Sequence, residues 1–204
     1  MKLITKIISD DRANDIMHNS KNIFSLPIYH SELINPHRPL SRKWQRRYND
    51  TYVIIRSILN KYNFIRNKVV YDITCNIGTM SFLFNEYNPK MIIGLDTDEE
   101  VLLLAQYIKN MKFQKANIFF ICSDITTESV ITREDNIGFL LNLPFHSINT
   151  MQKDIDSFLE RNIPGMLFID NMYDKYIYDI IIKRYKIEKK FAYYNLFKVS
   201  DNEK

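Results

Sequence analysis

Glycine is nearly absent from this chain, with four among 204 residues, and cysteine is rarer still, with two. Cys75 and Cys122 stand alone, without the paired spacing of a zinc knuckle or a disulfide framework. No apolar run approaches the roughly 20 residues that span a bilayer. The N-terminus is apolar for only a few residues before Asp10 and Asp11, a poor signal peptide. There are no internal repeats and no low-complexity tract. A soluble protein of a reducing, cytoplasmic setting is therefore expected, with no membrane partner.

The chain does carry enough apolar material for one core. It is 46% hydrophobic and 25% charged, and too short for two domains of ordinary size. A net charge of +4 is mildly basic, compatible with a nucleic-acid partner without establishing one. The abundance of Ile, Asn, Lys and Tyr reads as codon bias of an AT-rich genome, not as function.

Residues 1–40 show no sustained period and hold Pro27, Pro36 and Pro39, so an irregular N-terminal arm is expected, with a short helix near Arg12–Met17. His18, His30 and His37 lie in it without metal-ligand spacing, and no metal site is expected. The domain proper is taken as 41–204. Ser41 is a fitting helix N-cap, and Trp44, Tyr48, Tyr52, Ile55 and Leu59 recur at helical spacing. Strand and helix signals then alternate. Strands are predicted at Val69–Ile73, Met91–Leu95, Ile118–Cys122, Ile137–Leu143 and Met166–Ile169. Helices are predicted at Thr79–Asn85, Glu99–Lys112, Gln152–Arg161 and Lys175–Tyr185. Ile187–Tyr194 and Asn195–Ser200 would close the chain as an antiparallel hairpin at an edge. This alternation predicts an α/β fold: a doubly wound, mostly parallel sheet with helices on both faces.

Chemistry concentrates at the strand ends. Asp72 follows the first strand and opens the turn Asp72-Ile-Thr-Cys-Asn-Ile-Gly78. Asp96 closes the second strand, Asp124 follows the third, and Asn142-Leu-Pro-Phe145 follows the fourth. In a doubly wound sheet the ligand lies across the carboxyl ends of the strands, so these four tips meet at one crevice. The turn offers backbone N–H groups and a helix N-terminus, and a carboxylate at a strand tip accepts hydrogen bonds from ribose hydroxyls.

This arrangement resembles the class I S-adenosylmethionine-dependent methyltransferases over roughly residues 42–200. The resemblance implies a seven-stranded, methyltransferase-type Rossmann-like sheet and S-adenosyl-L-methionine as cofactor. It places Asp72 near the methionine amino group, Asp96 on the ribose and Asp124 at the adenine amino group. Thr74, Asn76 and Gly78 would form the loop, with Thr97 and Ile125 beside the second and third acids. The family pattern is acid-x-Gly-x-Gly-x-Gly, and here Thr74 and Asn76 replace the first two glycines. Asparagine tolerates a left-handed backbone, whereas β-branched Thr74 is expected to keep φ below zero. A nicotinamide enzyme is the main rival. Against it, the Gly-x-Gly-x-x-Gly spacing is missing and side chains stand where a pyrophosphate needs close backbone approach.

Asn142-Leu-Pro-Phe145 resembles the box of enzymes that methylate exocyclic or amide nitrogens, in the form found in the rRNA adenine dimethyltransferases. Asn142 and the Leu143 carbonyl would accept the two N–H hydrogens of a planar amino group and so favour its pyramidalisation. Pro144 would stiffen the turn, and Phe145 would stack on the base. The chain departs from that family in having Asp72 where it has Glu, a reduced glycine loop and no length for its helical C-terminal domain. The substrate is therefore not carried over with the site chemistry.

Arg42, Arg46 and Arg47, interleaved with Trp44 and Tyr48, combine phosphate-binding charge with stacking surface, and equally suit a solvated helix face. His146 is a candidate base or substrate contact, or a loop residue capping the next turn. The closing Lys183–Lys190 run reads as a solvated edge. The expectation is a methyltransferase acting on a base nitrogen in RNA or DNA. Two alternatives stay open: methylation of a small-molecule or sugar hydroxyl, and a catalytically degenerate binding subunit. An activating protein partner or a homo-oligomer is compatible with either.

Overall fold

The computed structural model describes residues 1–19, 42–131, 136–141, 148–162, 164–170, 175–191 and 194–200. Within them the chain runs β1 (Lys2–Leu3), α1 (Asp10–Asn19), α2 (Arg42–Tyr62), β2 (Val69–Ile73), α3 (Thr79–Asn85), β3 (Met91–Asp96) and α4 (Glu99–Lys112). It continues β4 (Ile118–Cys122), β5 (Asn136–Leu140), α5 (Ile148–Arg161), β6 (Met166–Asp170), α6 (Lys175–Arg184), β7 (Tyr185–Lys190) and β8 (Tyr194–Val199).

Period-two alternation sorts the strands into two cores. Val70, Ile92, Phe120, Ile137, Phe139 and Phe168 pack with residues of α1 to α4 on one face. Tyr71, Ile73, Leu95, Leu140, Leu167 and Ile169 pack with α5 and α6 on the other. Strands β2, β3, β5 and β6 are apolar on both sides, as burial on both faces requires, whereas β7 turns Lys186, Glu188 and Lys190 to solvent. A stack of aromatic rings, Phe64, Phe84, Phe139 and Phe168, joins the segment after α2 and α3 to the middle of the sheet.

The sheet order is β1-β4-β3-β2-β5-β6-β8-β7. Strands β4, β3, β2, β5 and β6 are parallel, and the order reverses between β2 and β5. That reversal opens a crevice at their carboxyl ends. The seven expected strands are all present, and β1 adds an eighth, antiparallel to the outer edge of β4. The closing hairpin is not simply appended. Its second strand, β8, inserts antiparallel between β6 and β7.

The boundaries differ from the sequence reading in several places: α5 begins at Ile148 instead of Gln152, and β7 ends at Lys190, so that Tyr194 opens β8 instead of closing β7. The fourth parallel strand ends at Leu140 instead of Leu143. Residues 1–19 are tied to the domain: Ile4, Ile8, Ala13 and Ile16 are buried, and α1 covers α4. Arg12 pairs with Glu100, and Tyr107 donates to Asp10 at 2.8 Å. Helix α4 is thus enclosed from both sides, which explains eight consecutive buried residues from Val101 to Ile108. No helix among the described residues is long and apolar enough to cross a membrane.

Candidate functional site

The turn after β2 holds three of the six positive-φ residues found among the described residues. Thr74, Asn76 and Gly78 have φ of 61°, 51° and 79°, so every second residue is left-handed. Asn76 behaves as expected. Thr74 does not: the expectation of φ below zero is overturned. The loop doubles back so tightly that the Cys75 N–H reaches the Leu95 carbonyl on β3 (2.8 Å) and the Gly78 N–H reaches the Cys75 carbonyl (2.9 Å). Those two bonds hold Thr74 in a conformation that a β-branched residue disfavours by about 1–2 kcal/mol. The Thr74 hydroxyl donates to the Ile73 carbonyl at 2.5 Å. Substituting Thr74→Gly is expected to raise stability by about 1 kcal/mol, the relief of strain offset in part by glycine's greater chain entropy. A thermal melt checks this, and a drop in midpoint would mean that the hydroxyl bond outweighs the strain.

Close approach explains two of the four glycines. A Cβ on Gly78 would meet the Phe120 ring at 2.9 Å, besides being strained by φ. One on Gly94 would meet Phe120 at 2.7 Å and the Cys75 sulfur at 2.9 Å. Phe120 and Cys75 are thus the floor on which the turn rests. Burial, with the nearby Asp72 and Asp96 carboxylates adding to it, pushes the Cys75 thiol well up, so it is a packing group and not a nucleophile.

Three aspartates gather at adjacent strand tips. Asp96 ties the turn to the next helix: its Oδ2 accepts from the Asn76 N–H (2.8 Å) and its Oδ1 from the Asp98 N–H (3.1 Å). Asp98 then caps α4, accepting from Glu100 and Val101. Burial raises the Asp96 carboxyl against the opposing pull of these N–H donors. Asp72 lies beneath the turn, 2% exposed, its Oδ2 accepting from the Ser81 hydroxyl of α3 at 2.6 Å. Desolvation lifts its pKa to about 7; Ser81 lowers it and Asp96 raises it further.

Asp124 is exposed and opens a single helical turn. Its Oδ1 accepts from the Thr126 N–H (2.9 Å) and hydroxyl (2.7 Å), which holds its carboxyl below the ordinary value. Thr97 is exposed next to Asp96, its carbonyl accepting from the Cys122 thiol at 3.4 Å. Ile125 is half-buried. No helix forms between β4 and β5 among the described residues, and this stretch is instead pinned by Asn162. The fully buried Asn162 amide accepts from the Val130 and Ile131 N–H groups and donates to the Ile125 and Glu128 carbonyls, at 2.7 to 2.9 Å.

The fold therefore brings Asp72, Thr74, Asn76, Gly78, Asp96, Thr97, Asp124 and Ile125 to one edge of the sheet. Arg42, Arg46 and Arg47 fall in the opening turns of α2. Ser41, Asn142, Pro144, Phe145 and His146 lie outside the described residues; β5 delivers the chain toward 142 at the same carboxyl edge. Sequence reasoning missed Ser81, Gly94, Phe120 and Asn162. Gly94, inside an apolar run of a glycine-poor chain, carried a legible signal of close approach. Asn162 carried none.

No protein-family model and no curated protein matches the chain. Solved structures do. The magnesium protoporphyrin IX methyltransferase of Synechocystis PCC 6803, with SAM bound, superposes with a TM-score of 0.62 at 13% identity, covering 95% of this chain and 98% of its own. The fold is that of the methyltransferases. The N-methyltransferase NodS of Bradyrhizobium japonicum WM9, in complex with S-adenosyl-L-homocysteine, gives 0.55 at 12% identity over 75% of this chain and 87% of its own. A proposed RNA methyltransferase of Pyrococcus horikoshii gives 0.53 at 15% over 76% and 84%. Proteins sharing this methyltransferase fold thus act on different substrates, so the fold leaves the substrate open.

Proposed function

We propose that the protein is an S-adenosyl-L-methionine-dependent methyltransferase acting on a base nitrogen in RNA or DNA. The observation that carries the reading is the set of three aspartates at the tips of β2, β3 and β4 around a turn with alternating left-handed residues. A ligand bearing an ammonium, a ribose diol and an adenine amino group presents donors in that order. Acceptor-only carboxylates suit all three.

In this reading Asp96 and Thr97 hold the ribose, and Asp124 with Ile125 holds the adenine. The Thr74–Gly78 turn faces the methionine portion, and the charge of Asp72 acts from beneath it. The bound cofactor supplies an activated methyl group. What the protein contributes is orientation and exclusion of water, which suffices when the group to be transferred is already reactive. Asn142, two residues along the chain from the end of β5, would accept hydrogen bonds from the target amino group, with Pro144 fixing the turn and Phe145 stacking on the base. Arg42, Arg46, Arg47 and His146 would border the substrate side.

Titration calorimetry with S-adenosyl-L-homocysteine tests the cofactor assignment, and no heat at millimolar ligand would refute it. Methyl transfer from labelled cofactor into bulk RNA and DNA tests the substrate. Asn142→Ala is expected to lower that transfer about a hundredfold through misplacement of the nucleophile while cofactor affinity holds. Activity that survives Asn142→Ala and disappears in His146→Ala would transfer the assignment to a hydroxyl acceptor with His146 as base.

A further inference from the structure

We infer that the face of the β7–β8 edge on the α2 side is a landing surface for the single-stranded RNA that would feed the catalytic crevice. This rests on the nucleic-acid reading above. Three lysines from two strands share that face. Lys186 and Lys198 are direct cross-strand partners, and both are exposed. Lys189 joins them because of a register shift. The ladder pairs Ile187 with Phe197 and then Lys189 with Leu196, leaving Glu188 unpaired between them. A regular ladder would place Lys189 on the Ile187 side, against α6. The bulge moves it to the Leu196 side, against α2.

Helix α2 completes the surface. Its last residues, Lys61 and Tyr62, are exposed. The Lys189 ammonium sits 3.4 Å from the Tyr62 ring centroid, and Lys61 lies 5.3 Å from it. Tyr62 is 40% exposed and stands edge-on to Phe191, with centroids 5.7 Å apart. Lys61 and Lys189 thus flank the partly exposed Tyr62 ring, and Lys186 and Lys198 share the strand face with Lys189. Among the described residues none of the four forms an ion pair with a carboxylate.

Edge strands often carry lysines to block pairing with other chains, and Lys186 and Lys190 fit that role. It does not explain Lys198, which lies on the inner strand β8 directly opposite a like charge, a destabilising arrangement by itself. Nor does it explain the bulge-driven placement of Lys189 beside Lys61 and Tyr62. A polyanion relieves all of that repulsion at once, and the exposed part of the Tyr62 ring offers a base a stacking surface. The strip crosses the sheet toward the crevice: Lys198 pairs with Met166 at the amino end of β6, and Lys189 lies opposite Leu196, which pairs with Phe168 midway along it. Phe191 follows β7 and bonds through its N–H to the Tyr194 carbonyl (2.8 Å), and Tyr194 pairs with Asp170 at the carboxyl end of β6. That is the edge where the crevice opens.

Fluorescence anisotropy of a fluorescein-labelled oligouridylate, titrated across salt concentrations, tests the surface in the full chain. The triple variant Lys186→Gln, Lys189→Gln, Lys198→Gln is expected to flatten the dependence of log affinity on log salt by about two, as three lost phosphate contacts require on a single strand. Tyr62→Ala, on a separate element, is expected to weaken binding about tenfold with the slope retained. Lys6→Gln, an exposed lysine elsewhere, is expected to change neither. An unchanged slope and affinity in the triple variant, with its melt and S-adenosyl-L-homocysteine binding intact, would overturn the inference. If wild-type protein still methylates RNA in that case, the function stands and only the landing surface falls. Wild-type protein that binds phosphatidylserine vesicles while neither binding RNA nor methylating RNA or DNA would remove both.

Discussion

Replacing Asn162 with leucine is expected to cost about 3–5 kcal/mol of stability, read as a lower midpoint in urea. The size follows from what the amide does. It makes four hydrogen bonds to backbone groups of residues 125, 128, 130 and 131, and it is fully buried. Leucine fills similar volume but offers no polar atom, so two N–H groups and two carbonyls lose their partners together. Each orphaned buried group costs about 1–3 kcal/mol. Ile125, Glu128 and Val130 are only half-buried, so water can relieve part of the loss, which sets the total below the simple sum. The damage should be local. The turn that begins at Asp124 also bonds the Ser129 hydroxyl to the Arg161 carbonyl (2.9 Å), a single tether too weak to replace Asn162. Affinity for S-adenosyl-L-homocysteine should fall along with stability. A loss under about 1 kcal/mol would show that the segment holds its own shape.

Asp72→Asn is expected to stabilise the unliganded protein at alkaline pH and to remove most of one pH dependence. The Asp72 carboxyl titrates at about 7 in the folded state, against the ordinary 3.8. A carboxyl raised by folding binds its proton more tightly in the native state. Its contribution is therefore fully present below the unfolded value and is lost as pH rises through about 7. A shift of that size corresponds to about 4 kcal/mol across the window. Wild-type protein should lose stability between the two values, and the Asn variant should lose much less. A parallel pH profile for the two proteins would exclude Asp72 as the source.

The same proton connects to the proposed ligand. A cationic ligand above the turn favours the ionised carboxylate, so binding should release a proton and tighten from about pH 5.5 to about 7.5, while an α-amino group stays largely protonated. Calorimetry in buffers of different ionisation enthalpy measures that release. Its persistence in Asp72→Asn would assign it to another group.

Much of the scaffold was legible because its signals are local. The apolar β-branched runs at 69–73, 91–95 and 118–122 are short, bounded by polar residues and separated by helical periods. The parallel strands follow from that alternation, and the acids at their ends follow from position alone. The turn was legible only in part. Asn76 could be assigned a left-handed backbone from its residue type. Thr74 could not, because its φ is imposed by the Cys75–Leu95 bond to another strand. The antiparallel hairpin was legible as a hairpin, but its insertion with β8 inward depends on which strand better matches the free edge of β6.

The sequence by itself determined the α/β alternation, the two-faced burial of the central strands β2, β3, β5 and β6, and the row of aspartates at the strand tips. These depend on the spacing of residues along one short segment, where backbone geometry converts sequence directly into position. The tertiary structure alone decided what depends on distant segments meeting. It buried Asp72 against Ser81 and raised its pKa. It strained Thr74, and it made Asn162 the anchor of a loop more than thirty residues away. It also brought Lys61 and Tyr62 to the lysines of β7 and β8. Burial, pairing and charge crowding are properties of the assembled neighbourhood, and no window of sequence contains that neighbourhood.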